Sequence, residues 1–440
     1  MQKRFIALLG ILFTVSHVCG IPLGVNFKIP EIFILVLIFL FFTQNNSTFD
    51  KDQRLLLFLL FLALIAVPGI SLLFSLNNLA QMQRAAASMG FVNKGGRMDP
   101  IVAPIVMFAW SIFSFLSVIT FANIKKDNRK IFFRNLLISL FIMNIYSIYG
   151  AFVVNLWGGP DIPWFSDSRH GYDNQLRAQG FFIEPLNLAH FLTYTFAFFL
   201  LDKDLFTSKL GRFFFQSLNL KLTVFVFILT FSASGVISLA ASYFLIFLFF
   251  KAFSVRTVLK YIFGVIITIG AAMLYPPSRD AIVNKVIYSI VDPTSVGYSA
   301  LDRIYKSQAG MNIFNEYPIF GGGLGSSGFL YAFFKPTQGY FSYDHLPFPL
   351  NEYVRILAET GLMGLITFSA FAIAYLIYLK KNENFLKPWE ILLFAGGFVS
   401  TLIDFNFGNF MNVYYVWVFV GFSFVVIRER KKNSQNPILV

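Results

Sequence analysis

The chain has 440 residues, of which 57% are hydrophobic and only 13% are charged, and its mean hydropathy is +0.67. These values exclude an ordinary soluble domain and place the chain among membrane proteins. The net charge of +13 does not indicate nucleic-acid binding, because most Lys and Arg residues stand in short loops between apolar segments, where membrane orientation requires them. Cys19 is the only cysteine, which excludes internal disulfides and a cysteine metal cluster.

About twelve apolar segments are long enough to form membrane-spanning helices. They centre near residues 5–23, 29–43, 54–76, 100–122, 135–157, 186–201, 221–234, 236–250, 258–275, 352–379, 388–404 and 408–427. The first resembles a signal peptide, but Ser16-His17-Val18 lacks the small residues of a cleavage site, so we expect an uncleaved span. A turn at Ser232 to Gly235 separates the seventh and eighth spans. With this turn, every short basic loop and both termini lie on the cytoplasmic side.

The sequence therefore predicts an all-α polytopic integral membrane protein in three parts. Residues 1–275 hold nine spans and two smaller outside loops, residues 276–350 form one large outside loop, and residues 351–440 hold three spans and a cytoplasmic tail. The outside loops carry basic residues against the preference of membrane topology, which makes these residues candidates for binding an anion.

Two motif matches do not indicate the function that they resemble. Gly323 to Gly328 reads GLGSSG, but a dinucleotide site needs a strand before this motif and a helix after it, so a flexible turn is expected. Asp202-Lys203-Asp204 resembles the metal site of sugar-nucleotide transferases, but its loop has no room for a catalytic domain. The histidines do not share metal-ligand spacing, so we predict neither a metal nor a cofactor.

Two outside segments carry candidate anion-binding residues. Arg177 lies where the second outside loop returns to the bilayer, and Glu184 precedes the next span. Arg177 is either paired with Glu184 at the interface or free to grip a lipid-linked phosphate with its planar fork. Arg303 and Lys306 stand one helical turn apart in the large loop, where they either face one ligand together or belong to a solvated charged helix.

The large loop ends at a helix with charged first turns. His345 precedes this helix, and Glu352, Arg355 and Glu359 follow at i, i+3 and i+7, which places them on one face. Ionisable residues at the start of a span are costly unless they pair with each other or face a polar cavity. The sequence leaves structural pairing and an active site as alternatives.

These segments resemble the bacterial O-antigen polymerase and O-antigen ligase superfamily. The shared features are an Arg before GFFIEPLN, a Thr in TFSASG, an Arg before YPIFGGGLG, a His, and an Asn-to-Glu-to-Gly helix. They begin here at Arg177, Thr230, Arg303, His345 and Asn351. The sequence departs from the family pattern at Gly235, where an Arg is common. It departs again at Leu350, where ligases carry a His, which favours the polymerase branch.

The resemblance implies a GT-C-like enzyme that polymerises undecaprenyl-pyrophosphate-linked repeat units of O-antigen or capsule at the periplasmic face of the inner membrane. The implied pyrophosphate-binding residues are Arg177, Arg303, Lys306 and Arg355. The implied general base is His345, with Glu352 or Asp344 as alternatives. The implied supporting residues are Glu184, Asn351 and Glu359.

The expected partners are the lipid-linked donor and acceptor glycans, membrane lipid and a chain-length regulator protein. The sequence leaves three other functions open. They are an O-antigen ligase that transfers glycan to lipid A core or to protein, another lipid-sugar transferase, and a flippase or transporter of lipid-linked oligosaccharides. Transporters of this size usually show two related halves and charges at mid-span, and neither feature is evident in the sequence.

Overall fold

The computed structural model describes residues 2–15, 18–21, 25–42, 49–90, 99–161, 177–182, 184–201, 205–251, isolated positions from 253 to 279, and residues 298–336, 346–408, 411 and 413–435. The described secondary structure is helical apart from one hairpin, which confirms the helical fold class. In this hairpin β1 (Val18–Ile21) pairs antiparallel with β2 (Val25–Lys28), with Val18 opposite Lys28.

Seven described helices precede the second loop predicted from the sequence, residues 158–184. They are α1 (Gln2–Leu12), α2 (Ile29–Phe42), α3 (Lys51–Phe61), α4 (Val67–Asn77), α5 (Leu79–Ser88), α6 (Val102–Phe121) and α7 (Lys126–Tyr149). A π-helical turn at Leu62–Ala66 joins α3 to α4, and another at Gly150–Leu156 extends α7.

Ten further described helices follow this loop. They are α8 (Pro185–Thr195), α9 (Lys209–Arg212), α10 (Asn219–Leu229), α11 (Ala233–Phe249), α12 (Tyr298–Glu316), α13 (Ser327–Phe334), α14 (Glu352–Lys381), α15 (Pro388–Ile391), α16 (Gly397–Asp404) and α17 (Tyr414–Gln435). Short 3-10 or π segments extend α8 and join α9 to α10 and α15 to α16.

Five described helical segments are long and apolar enough to cross a membrane, by length and composition. They are Lys51–Asn77, Val102–Phe121, Lys126–Leu156, Lys209–Leu229 and Glu352–Lys381. Each overlaps a span predicted from the sequence, which is consistent with a polytopic membrane protein. Shorter apolar helices lie at α2 and α11. The count of about twelve spans stays a prediction.

The N-terminal region differs from its predicted span at residues 5–23. Helix α1 ends at Leu12, and the β1–β2 hairpin follows. Gly20, Pro22 and Gly24 disfavour a helix in this stretch, since glycine and proline are the weakest helix formers. Most of the predicted span at 258–275 lies outside the described residues.

The chain reverses direction between α10 and α11, as the predicted turn requires. Helix α11 runs beside α8 in the same direction, because a Cβ on Gly235 would lie 2.6 Å from Ala189 Cβ and the Tyr243 hydroxyl donates to Thr193 O at 2.9 Å. The Ser232 hydroxyl caps α11 by accepting from Gly235 N at 3.2 Å. Two separate helices therefore form where one long helix was the alternative.

A second apolar core lies outside the main helical bundle. Helices α12 and α13 of the large loop pack against α5 and the start of α14, and their contacts bury Met82, Ile313, Phe329 and Ala358. This core fixes the described part of the large loop to the ends of the bundle helices. It thereby positions the candidate active site at the start of α14.

Candidate active site

A glycine-rich loop between α12 and α13 is clamped between α4 and α14. Gly321 and Gly323 have φ angles of 71° and 115°. A Cβ on Gly321 would lie 2.4 Å from Glu359 C, and one on Gly323 would lie 2.4 Å from Ser75 Oγ. Only glycine fits such backbone angles at this distance. The GLGSSG motif thus contains the predicted turn, at Leu324 and Gly325, but the motif is buried as a packing element, which contradicts the predicted flexibility.

Helix α14 is broken at Gly361, and the glycine-rich loop supplies the missing hydrogen bonds. Gly361 has φ 65° and ψ −162°, outside the helical region. Beyond it, Leu362 N donates to Pro318 O at 2.9 Å, and Gly322 N donates back to Ala358 O at 2.8 Å. These exchanged bonds fix the loop and the first turns of α14 as one unit, because few buried backbone groups stay unpaired.

An ion pair lies inside this unit. Arg355 donates from Nε to Glu359 Oε1 at 3.1 Å, and the Ser327 hydroxyl donates to the same oxygen at 2.6 Å. Arg355 is 6% exposed and Glu359 is 3% exposed. The pair ties α14 to α13, and removing either partner would leave a buried charge. The contacts of Glu359 therefore fit the structural-pairing alternative.

The start of α14 joins the turn that follows α16. Asn351 caps α14 by accepting from Val354 N at 3.2 Å, and Glu352 N donates to Phe405 O at 2.7 Å. Glu352 is buried, and Arg355 attracts its carboxylate as well as that of Glu359. One guanidinium thus serves two carboxylates, and its direct hydrogen bond goes to Glu359. The role of Glu352 as a proton acceptor stays a prediction.

A cavity of about 410 Å³ opens between α12 and the start of α14. This volume lies within the usual range for a small-molecule site. Arg303 is exposed and is the one charged side chain among the described residues that line the cavity. Five neutral polar residues line it as well: Ser307, Gln308, Asn312, Asn351 and Asn406.

Lys306 does not face the cavity with Arg303. Its ammonium lies 2.6 Å from Asp302 Oδ2, and the residue is only 4% exposed. The same carboxylate lies near Tyr331, where burial and Asp302 raise the pKa of the phenol to about 12. The two cations that the sequence placed one helical turn apart therefore have different environments, one exposed and one paired.

Arg177 lies at the break between α10 and α11. Its Nε donates to Thr230 O at 3.1 Å, at the carbonyl end of α10, where a cation is favourable. Asn155 donates to Arg177 O at 2.6 Å and fixes the loop to the end of the α7 extension. Glu184 is exposed at the N-cap position of α8. Among the described residues lining the Arg303 cavity, Arg177 is not present, so their shared site stays a prediction.

Asp344 and His345 lie outside the described residues, which resume at the buried Leu346. The assignment of His345 as a base is therefore still a prediction. Within the described part of the chain, no three His, Cys, Asp or Glu side chains gather as a metal site would require.

One buried polar network was not predicted from the sequence. His190 lies inside the bundle with Nδ1 2.6 Å from the Tyr415 hydroxyl and Nε2 3.0 Å from the Thr401 hydroxyl. Asp404 Oδ2 is 3.7 Å from the same Nε2, and Asp404 Oδ1 accepts from the Ser238 hydroxyl at 2.5 Å. The sequence feature that could have revealed this network is a His and an Asp within apolar segments, because ionisable residues in such segments rarely stay unpaired.

Comparison with known families connects these features. The model of the O-antigen ligase family matches residues 218–369. This segment contains the break before α11, the Arg303 helix, the glycine-rich loop and the kink in α14. The match supports the O-antigen ligase and polymerase superfamily, and thus a role in glycan assembly, without separating the two branches. None of the curated proteins compared with the chain matches it.

Proposed function

We propose that the protein polymerises undecaprenyl-pyrophosphate-linked oligosaccharide repeat units at the periplasmic face of the inner membrane. The observation that carries this proposal is the cavity beside α14, where an exposed arginine stands among neutral polar side chains. The cavity lies at the start of a candidate membrane span and includes residues of the segment that matches the O-antigen ligase family. A lipid-linked sugar phosphate would present its charged group and its glycan at such a place.

The reaction joins two lipid-linked glycans. A hydroxyl oxygen of the acceptor attacks the anomeric carbon of the donor, the bond from that carbon to the phosphate oxygen breaks, and the acceptor proton passes to a base. Undecaprenyl pyrophosphate leaves as an anion. The leaving group is already activated, so the reaction needs no ATP. Stabilising its charge is the largest contribution that the protein can make.

Arg303 is our main candidate for binding the pyrophosphate, because its exposed guanidinium lines the cavity and offers bidentate donors. Arg177 is the second candidate, held at the break before α11 by its bond to Thr230. Lys306 and Arg355 already have carboxylate partners, so we assign them a supporting role in positioning. Asn351 lines the cavity and caps α14.

The base that accepts the hydroxyl proton comes from the start of α14 or the segment before it. His345 suits this role because its unperturbed pKa lies near neutrality. Glu352 and Asp344 are the alternatives. Of these alternatives, Glu352 directly follows the cavity residue Asn351 in the chain.

The principal alternative is a ligase that transfers finished glycan onto lipid A core, since the family match is compatible with both branches. Leu350 stands where ligases carry a histidine, and this difference favours the polymerase. A flippase is the non-enzymatic alternative.

The experiment uses a strain in which the gene is deleted. Its lipopolysaccharide or capsule is run on a gel after complementation with wild type, Arg177→Ala, Arg303→Ala or Asn315→Ala. Asn315 is exposed on the same helix as Arg303 and is not among the described cavity residues, which makes it the matched control.

Core with a single repeat unit in the deletion strain, restored to a ladder by wild type and Asn315→Ala only, would support the polymerase. Core without repeat units, with polymer accumulating on undecaprenyl pyrophosphate outside, would instead indicate a ligase. Single units trapped on the cytoplasmic side would indicate a flippase.

A further inference from the structure

Helix α12 lines the cavity with about half of its circumference. At about 100° per residue, Arg303 and Ser307 lie along one edge of this half and Gln308 and Asn312 lie along the other, with the apolar Ile304 and Met311 between the two polar pairs. At 1.5 Å per residue the lining extends over roughly 13 Å of the helix. Arg303 stands at one end and Asn312 at the other, so the charge is confined to one end of the lining.

The opposite wall of the cavity comes from elements that are distant in sequence. Asn351 stands at the start of α14, and Asn406 belongs to the turn after α16. Asn406 is held by a bond from its amide nitrogen to Ile403 O at 3.0 Å. The cavity thus has amide side chains on both sides and is shaped by three separate parts of the chain.

The chemistry of this lining fits a polyhydroxylated ligand. Side-chain amides and a hydroxyl can donate and accept hydrogen bonds, as sugar hydroxyls do. Ile304, Met311 and Leu350 add apolar surface that can cover the C–H faces of sugar rings. No carboxylate is present among the described lining residues, so an anionic group at the Arg303 end meets no like charge.

We infer that Gln308, Asn312 and Asn406 form the subsite that binds the glycan of a lipid-linked repeat unit, with the phosphate-bearing end of the substrate toward Arg303. This inference rests on the proposed function for the identity of the substrate, and it assigns specificity for the repeat unit to three residues beyond those that handle the pyrophosphate. A repeat unit with a different arrangement of hydroxyl groups would leave these amides without hydrogen-bond partners, and its binding would therefore be weaker.

The test measures glycan binding separately from catalysis. The probe is the lipid-free repeat-unit oligosaccharide of the producing strain, released from its single lipid-linked units by mild acid, which hydrolyses the glycosyl phosphate bond. Its binding to the full-length protein in lipid nanodiscs is measured by saturation-transfer NMR, with maltotriose as an unrelated neutral glycan. The variants are Gln308→Ala, Asn312→Ala and Asn406→Ala, with Asn315→Ala as the matched exposed control.

We expect each cavity variant to weaken oligosaccharide binding about twofold to tenfold, the effect of one lost hydrogen bond, while Asn315→Ala binds as wild type does. In chain-growth assays with lipid-linked units, the same variants should raise KM for the lipid-linked donor and leave kcat within about twofold of wild type. Arg303→Ala should lower kcat. A purely structural role for the three amides would not produce this separation of KM from kcat.

Unchanged oligosaccharide binding together with unchanged KM in all three cavity variants would overturn the glycan subsite. Equal binding of maltotriose and the repeat unit would overturn its proposed specificity. If wild type binds the oligosaccharide through these amides yet does not extend lipid-linked glycan, the subsite stands and the polymerase proposal fails, so the two failures are distinguishable. If wild type neither binds nor extends glycan, both are wrong.

Discussion

Replacing Gly361 with alanine should strongly destabilise the protein. The φ of 65° and ψ of −162° lie in a region that is essentially restricted to glycine, where another residue costs about 1–3 kcal/mol. A Cβ would also stand 2.4 Å from Ile319 C and O, which are backbone atoms of the clamped loop. Moving that loop would break the bonds from Leu362 to Pro318 and from Gly322 to Ala358, each contributing about 1 kcal/mol.

The combined loss for Gly361→Ala is therefore about 3 kcal/mol or more. The assay is thermal unfolding of the purified protein in detergent. Two glycine variants are matched controls. Gly69→Ala introduces a Cβ no closer than 3.4 Å to Phe108 in a helix, and Gly90→Ala introduces a Cβ at φ 74° with no atom within 4 Å.

The melting temperature of Gly69→Ala should be near that of wild type. Gly90→Ala should lose only the stability that a positive φ costs a residue other than glycine, which is less than the loss expected for Gly361→Ala. If the exchanged hydrogen bonds hold the glycine-rich loop against α14, Gly361→Ala should melt well below both control variants. If Gly361→Ala melts with Gly90→Ala, backbone conformation alone explains the loss and the close approach of the loop contributes nothing. If it melts with Gly69→Ala, the described kink itself is wrong.

Three further outcomes are expected. His190→Ala removes the ring nitrogens that bond the buried hydroxyl groups of Tyr415 and Thr401, so it should lower the free energy of unfolding by about 1–3 kcal/mol. An unchanged melting temperature would refute this. Ser327→Ala removes a hydrogen bond to the Glu359 carboxylate and should lower stability by about 1.5–3 kcal/mol in the same assay, whereas wild-type melting would show that the contact is dispensable. Lys306→Gln should retain more chain growth on the gel than Arg303→Gln, because Lys306 already pairs with a carboxylate, and equal losses would contradict the separate roles given to these cations.

The sequence predicted several local features well because each rests on a short-range pattern. Hydropathy located five segments that the structure describes as long apolar helices. The Ser232 to Gly235 turn was recognised from small and capping residues, and the structure places a reversal there. The spacing rule that put Glu352, Arg355 and Glu359 on one helix face left structural pairing and an active site as alternatives, and the structure shows the Arg355–Glu359 pair.

The features that the sequence did not reveal depend on contacts between distant segments. The glycine-rich loop was expected to be flexible, but Ser75 and Glu359, far away in the chain, enclose it. Lys306 and Arg303 are one helical turn apart, yet only tertiary packing decides which is buried. The cavity contribution of Asn406 comes from a turn near the C-terminus, which no local pattern connects with α12.

The central claim is tested most directly with the purified protein in phospholipid vesicles containing single lipid-linked repeat units. The account predicts growth of the glycan on its lipid, one undecaprenyl pyrophosphate released per added unit, and loss of both in Arg303→Ala but not in Asn315→Ala. No growth by the wild type, with transfer of preformed polymer to added lipid A core, would contradict polymerisation and identify a ligase.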